Sequence, residues 1–232
     1  MGTEESTVPT AVQGLTRKGR LTRGRIVAAA AELMFEHGVA GTSTDDVRAA
    51  AGVSTSQIYH YFEDKSALVR AVIAHQTEAV LDAQEPLLGR LDSMEALRAW
   101  RDLVVDLQRA RHCTGGCPIG SLSAELADTD PEARAELVNG FARWESGIRS
   151  GLHAMRDRGD LAPDARPDDL ALAVLAALQG GLLLTQARRE TAPLEAGLDA
   201  MLDHIESLLR TPAEAAAART PVGRGPRGQA AG

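Results

Sequence analysis

Apolar residues recur every three or four positions along most of this 232-residue chain, and no segment alternates in the two-residue pattern of a β-strand. Glycine and proline residues separate the apolar runs, as expected at the ends of helices. The pattern predicts an all-α fold with helices at 22–37, 44–51, 55–61, 65–90, 95–111, 121–128, 132–158, 168–189 and 194–210.

Charge is unevenly distributed in this chain of net charge −7, in which 44% of the residues are hydrophobic. The acidic excess lies in the middle, while five cations fall within nine residues near the start without an acid among them: Arg17, Lys18, Arg20, Arg23 and Arg25. Such a cluster suits phosphate groups, although a solvated arm has the same composition.

Membrane and export signals are not evident in the sequence. We find no stretch of about 18 uncharged apolar residues, and the first thirty residues lack the apolar segment of a secretory signal. We therefore expect no membrane partner and a cytoplasmic location. The two cysteines, Cys113 and Cys117, are too few for a disulfide framework, and a reducing compartment would keep both as thiols.

The stretch from Thr22 to Leu68 carries the most informative pattern. Thr22 is placed to cap a first helix, and Ser43 with Asp46 three residues later has the spacing of a capping box. Gly52 allows a tight turn before a second short helix, which Ser54 can cap.

The second short helix has a polar face that no core requires. Ile58 and Phe62 are four residues apart and face inward, which leaves Ser56, Gln57 and His60 on the opposite side. Two short helices joined by a glycine-containing turn fit the major groove of B-DNA, so the sequence predicts a helix-turn-helix.

Over about a fifth of the chain, apolar, glycine, aromatic and lysine positions fall in one register: Thr22, Ile26, Ala29, Ala30, Leu33, Phe35, Gly38, Thr42, Ser43, Val47, Ala51, Gly52, Val53, Ser54, Ile58, Tyr59, Tyr61, Phe62, Lys65 and Leu68. This register resembles the DNA-binding domain of the TetR family of bacterial repressors. Ser56 departs from the resemblance, because the family often has glycine there.

The resemblance implies that some polar residues of this segment contact DNA bases and others contact phosphates. Base edges would be approached by Thr55, Ser56, Gln57 and His60, and phosphates would be held by Thr42, Ser43, Tyr59, Tyr61 and Lys65. Ser54 belongs to the same surface, and Arg48 could serve either role. The amide of Gln57 is a group that can pair bidentately with adenine.

The last two predicted helices carry apolar stripes at helical spacing. The stripes consist of Leu170, Val174, Leu178 and Leu182 on one helix and of Leu198, Met201, Leu202 and Ile205 on the other. The resemblance implies that these helices meet their copies in a four-helix dimer interface, whereas an intramolecular core is the alternative.

Residues 76–168, together with Gln179 on the following predicted helix, offer candidates for a signal site. Seven residues are candidate ligand contacts: Trp100, Arg111, Cys113, Cys117, Phe141, Trp144 and Gln179. Cys117 precedes a predicted helix, and its thiol pKa could be lowered by the helix dipole and nearby cations, which would suit an oxidant sensor. His112, Cys113 and Cys117 could instead ligate a metal, but no clear fourth ligand exists, so we predict neither a metal nor a cofactor.

Together these features predict a disordered basic arm at 1–20, a helix-turn-helix domain at 21–68, a helical ligand-binding and dimerisation domain at 69–210 and a disordered tail at 211–232. The expected function is a repressor that a small, mostly hydrophobic effector releases from palindromic double-stranded operator DNA, with a second copy of the chain as partner. A regulator switched by oxidation of Cys117 or Cys113 is one alternative. A helical-bundle enzyme is a remote one, since no catalytic motif is present.

Overall fold

Nine α-helices form the part of the chain that the computed structural model describes, residues 14–210. They are α1 (Arg17–His37), α2 (Thr44–Ala51), α3 (Thr55–Tyr61), α4 (Lys65–Asp82), α5 (Met94–Ala110), α6 (Pro118–Leu126), α7 (Pro131–Asp157), α8 (Pro167–Arg188) and α9 (Ala192–Ser207). No β-strand occurs in this range, which confirms the predicted all-α fold.

Helix α1 begins earlier than the sequence predicted. Its N-cap is Thr16, whose side chain accepts a hydrogen bond from the backbone N–H of Gly19. Thr22, which was expected to be the cap, is buried inside the helix and donates its hydroxyl to the carbonyl of Lys18. Residues 17–20 therefore belong to α1 and not to the predicted arm. The expectations for residues 1–13 and for the tail at 211–232 lie outside the described residues.

Three other predicted helices have different bounds in the structure, and the one expected at 194–210 spans Ala192–Ser207. The helix expected at 65–90 ends at Asp82, because Pro86 has no N–H to donate to a continuing helix, and a 3₁₀ turn at Leu88–Arg90 follows. The helix expected at 121–128 begins at Pro118, with Cys117 as its N-cap.

The first three helices and the start of α4 form a small domain around one core. Helix α1 packs against α2 and α4, and α2 contacts α3. Ile26, Val47, Ile58 and Leu68 supply one buried side chain from each of these helices. Because the core uses only the inner side of α3, the other side of this helix is free.

Helix α8 is the central element of the larger domain and packs against α7 and α9. It is also long and apolar enough to cross a membrane by length and composition, which the sequence analysis overlooked. A helix in the core of a helical bundle has the same length and composition. In α8, Val174 and Leu178 are fully buried within the larger domain. Helix α7 contacts α4, while α6 lies against both α4 and α7 and so adjoins the small domain.

Candidate DNA-binding surface and effector cavity

Helix α2 and the turn after it are fixed by local hydrogen bonds. Ser43 accepts from the backbone N–H of Asp46, whose carboxylate accepts from the backbone N–H of Ser43, so the predicted capping box is present. Hydrogen bonds from Ser43 lower the pKa of the Asp46 carboxyl. Gly52 ends the helix with φ 62° and ψ 44°, a left-handed conformation that glycine adopts without strain.

Helix α3 begins with a second capping box, which the sequence analysis missed. The Gln57 carbonyl Oε1 accepts from the backbone N–H of Ser54 at 2.9 Å, and the backbone N–H of Gln57 donates to Ser54 Oγ. Bidentate pairing with adenine needs both ends of the amide. Gln57 would therefore have to leave the cap to pair in this way, and its contact with a base edge stays a prediction.

The outward face of α3 presents several polar side chains to solvent. Thr55, Ser56 and His60 are exposed, and 57% of Tyr59 is accessible. The ring of Tyr61 packs edge-on against that of His60, with centroids 4.8 Å apart, and is half-buried. This face offers hydroxyl and imidazole groups in an arrangement that can contact DNA bases and phosphates.

Four of the residues that the sequence analysis offered as phosphate contacts have partners within the chain, and the first is Ser43, which is hydrogen-bonded to Asp46. Thr42 is only 2% exposed and donates its hydroxyl to the carbonyl of Gly38, so its prediction as a phosphate ligand was wrong. Lys65 Nζ donates to the carbonyl of Val39 at 2.7 Å, although an ammonium has further protons to donate. Arg48 pairs with Asp45 at 3.3 Å on the surface.

In the larger domain, two tryptophans share one acceptor. The indole N–H groups of Trp100 and Trp144 donate to Gln84 Oε1 at 2.8 Å and 3.0 Å, and the Gln84 amide nitrogen donates to the carbonyl of Val80. All three side chains are buried. The cluster therefore holds α4, α5 and α7 together through fully paired polar groups.

A narrow cavity of about 40 Å³ lies beside this cluster. Its wall includes apolar side chains such as Val104 and Leu182, together with Gln84, Gln108 and Arg111. Gln108 is 5% exposed, and its Oε1 has no hydrogen-bond partner in the described part of the chain. The volume suffices for little more than a water molecule, and the free acceptor is suited to a donor group.

A wider groove of about 550 Å³ runs between α6, α7 and α8. It is lined by Cys117, Gly120, Ser121, Ser123, Ala124, Phe141, Gln179, Gly180, Leu183 and Gln186. Gln179 Nε2 is buried near the Cys117 thiol and has no partner in hydrogen-bond geometry among the described residues. Since Cys117 also lines the narrow cavity, its segment separates the two spaces.

Neither cysteine has the environment of a reactive thiol. Both are buried, and burial raises the pKa of the Cys117 thiol, although the N–H groups at the start of α6 act in the opposite direction. The predicted lowering of this pKa was therefore wrong. Within residues 14–210, no group of three His, Cys, Asp or Glu side chains is placed to hold a metal ion.

Of the seven predicted ligand contacts, five line one of the two spaces. Arg111 and Trp144 line the cavity, Phe141 and Gln179 line the groove, and Cys117 lines both. Trp100 and Cys113 line neither space. Trp100 is completely buried against Gln84, and Cys113 is buried in the loop before α6, so the structure contradicts their placement at a ligand.

Comparison with known proteins agrees with this architecture. Residues 26–72 match the model of bacterial regulatory proteins of the tetR family, and residues 93–201 match that of the tetracyclin repressor-like C-terminal domain. An uncharacterised HTH-type transcriptional regulator of Mycobacterium tuberculosis is 30% identical over 182 residues, which cover 75% of this chain and 88% of that protein.

The chain belongs to the TetR family of transcriptional regulators.

Other TetR-family proteins are similar over comparable lengths. The HTH-type transcriptional repressor DhaR of Mycobacterium sp. strain GP1 is 25% identical over 79% of this chain and 91% of its own. The solved structure of a TetR transcriptional regulator from Chloroflexus aurantiacus has a TM-score of 0.73 and 29% identity over 84% of this chain and 99% of its own. TetR-family regulators are DNA-binding transcriptional regulators, typically repressors, that act as dimers on operator DNA.

The dimer interface expected for a TetR-family chain is misplaced in the sequence prediction. Seven of its eight residues, Leu170, Val174, Leu178, Leu182, Leu198, Leu202 and Ile205, are already buried within the single chain, and Met201 is partly buried. A side chain that is covered by its own chain cannot bury further area against a copy. On α8 the large apolar side chains that stay exposed are Leu172, Leu183 and Leu184.

Two polar residues of this TetR-family site were missed by sequence reasoning. Gln108 follows Trp100 and Val104 at intervals of four residues, so it lies on the buried face of α5. That spacing was a usable signal, because a glutamine in an apolar stripe needs a partner or a ligand. Gln84 had no such signal, since its partners lie 16 and 60 residues away.

Proposed function

We propose that the chain is a homodimeric, effector-responsive repressor of transcription. The single observation that supports DNA binding is the exposed polar face of α3. Its side chains point away from the core of the small domain, and they are Thr55, Ser56, Tyr59 and His60. A polar helical face on a small rigid domain is suited to the major groove of DNA.

Two copies of the chain would place two α3 helices on one DNA duplex. A single helix-turn-helix buries little surface, whereas a two-fold dimer reads two half-sites about 34 Å apart or a multiple of that distance. The dimer surface proposed here is the exposed side of α8, which carries Leu172, Leu183 and Leu184.

The effector would be a small, mostly hydrophobic molecule that occupies the groove between α6, α7 and α8. A volume of about 550 Å³ falls in the range of small-molecule sites. Phe141 and Ala124 supply apolar contact, and the buried Gln179 Nε2 can donate one hydrogen bond, while Leu183, which also borders the groove, is left to the dimer surface. A molecule with an apolar body and one acceptor group would satisfy this lining.

The response would travel through α6. Cys117 at the start of this helix lines the groove, while Glu125 near its end accepts from the backbone N–H of Val39 in the small domain at 2.8 Å. A displacement of α6 by the effector would therefore reach the helix-turn-helix. A coupling of about 3 kcal/mol already changes DNA affinity more than a hundredfold.

The test is a fluorescence anisotropy titration of a labelled duplex taken from upstream of the gene for this chain, at several salt concentrations. We expect tight, salt-dependent binding by the wild type and at least tenfold weaker binding by His60→Ala, since His60 lies on the exposed face of α3. His204→Ala is the matched control, because His204 is exposed on α9, away from the small domain. Equal affinities for both variants, or no binding by the wild type, would contradict the proposal.

A further inference from the structure

The start of α1 carries a cationic ridge that neither the helix-turn-helix nor the cavity uses. Arg17, Arg20 and Arg23 are spaced three residues apart, so their side chains follow one line along the helix. Within residues 14–210 none of the three forms an ion pair, whereas the arginines of the later helices are mostly paired with carboxylates.

The position of this ridge relative to α3 is fixed by two contacts. The guanidinium of Arg23 lies over the ring of Phe62, the residue that follows α3, at 5.0 Å from the ring centroid. One turn earlier, Gly19 lies so close to Tyr61 that a Cβ there would be 3.5 Å from the Tyr61 hydroxyl. The basic end of α1 therefore adjoins the C-terminal end of α3.

The outer members of the ridge are accessible. Arg17 and Arg20 are exposed, and the only hydrogen bond of the Arg20 side chain within the described range is to the carbonyl of Leu15. Because these residues are part of a capped helix, less conformational freedom is lost on binding than for a disordered arm. Arg23 is held by Phe62 and keeps the ridge beside α3.

From these contacts we infer that Arg17 and Arg20 bind backbone phosphates of duplex DNA beyond the bases that α3 contacts. The inference rests on the proposed function, because α3 must bring the DNA to this side of the domain. Guanidinium groups without acidic partners bind phosphate oxygens well, and they carry no sequence information. The ridge would thus lengthen the bound DNA site at each end without changing the sequence that is read.

The same helix offers a matched control for this site. Lys18 and Arg25 are also exposed and also lack ion pairs in the described range, but by helical spacing they lie roughly opposite Arg20 and about a quarter turn from Arg17. Their removal changes the net charge by the same amount on the same helix.

The experiment compares wild type, Arg17→Gln/Arg20→Gln and Lys18→Gln/Arg25→Gln in salt titrations with the upstream duplex. Four cations are removed from each dimer, so the slope of log K against log salt should fall by about 3 to 4 for Arg17→Gln/Arg20→Gln, and by less than 1 for the control. Circular dichroism checks that both variants fold.

A second arm varies the DNA. Trimming the duplex to the base pairs protected by the wild type's α3 contacts should weaken wild-type binding at least tenfold and leave Arg17→Gln/Arg20→Gln unaffected. The inference would be overturned if the two double variants had equal salt slopes, or if trimming weakened the wild type and Arg17→Gln/Arg20→Gln equally. In either case the proposed function would still stand if His60→Ala weakened binding. Failure of the wild type to bind the duplex would overturn both.

Discussion

The backbone N–H of Val39 donates a 2.8 Å hydrogen bond to Glu125 Oε2, across 86 positions of sequence. Val39 lies in the turn between α1 and α2, and Glu125 lies in the last turn of α6. The carbonyl of Val39 accepts from Lys65 Nζ, so this one residue is held from both sides. Nearby, a Cβ on Gly115 would overlap the ring of Phe35, which shows how closely the loop before α6 packs on α1.

Loss of the Glu125 carboxylate should loosen this connection. In Glu125→Ala we expect faster hydrogen exchange at the Val39 amide and a free energy of unfolding lower by about 1 kcal/mol, because an accessible hydrogen bond is partly replaced by water. Native-state exchange measured by NMR checks the first effect and urea denaturation the second. Glu136→Ala is the control, since Glu136 is exposed on α7, and equal exchange at Val39 in both variants would show that the bond does not restrain the turn.

Replacement of Gln84 by Met should leave two buried indole N–H groups without an acceptor. The free energy of unfolding should fall by roughly 2–4 kcal/mol, because each buried unpaired donor costs about 1–2 kcal/mol. Since Trp100 and Trp144 are the only tryptophans in the sequence, a shift in intrinsic fluorescence reports directly on this cluster. Gln76→Met, which removes only a 3.5 Å hydrogen bond, should change stability by less than about 1 kcal/mol. Similar losses in the two variants would contradict the prediction.

Two adjacent leucines of α8 should respond oppositely to glutamate. Leu183 is 66% exposed, so Leu183→Glu should fold, sediment as a monomer and lose operator binding. Leu182 is 3% exposed, so Leu182→Glu should fail to fold, because the interior offers no partner for the charge. Sedimentation equilibrium and circular dichroism separate these outcomes, and a Leu183→Glu protein that remains dimeric would place the interface elsewhere.

Alkylation of Cys117 should be slow at neutral pH. A raised pKa means that the neutral thiol persists to higher pH than in a free cysteine, and the thiolate is the reactive species. The reaction of Cys113→Ser with iodoacetamide can be followed by mass spectrometry as a function of pH. Its rate should rise only at a higher pH than the rate of glutathione, which is measured in parallel. A midpoint below that of glutathione would revive the oxidation-switched alternative.

The helix-turn-helix could be predicted from the sequence, and the bounds predicted for α2 and α3 are those of the structure. Ser43, Gly52 and Ser54 act through hydrogen bonds and backbone angles that involve residues at most five positions away, so the neighbouring sequence contains the whole cause. The all-α class followed in the same way from apolar periodicity.

Other features depended on parts of the chain that are distant in sequence. Helix α8 is apolar on most sides, so periodicity could not tell that Leu182 faces the core and Leu183 the solvent; only packing against α7 and α9 decided this. The sequence predicted that the Thr42 hydroxyl lies on the surface, but in the folded chain neighbouring residues bury this side chain. The sequence by itself determined which helices form and how the turn between α2 and α3 is made, because those causes are local. The tertiary structure alone decided which faces remain free, since burial depends on neighbours that the linear order does not reveal.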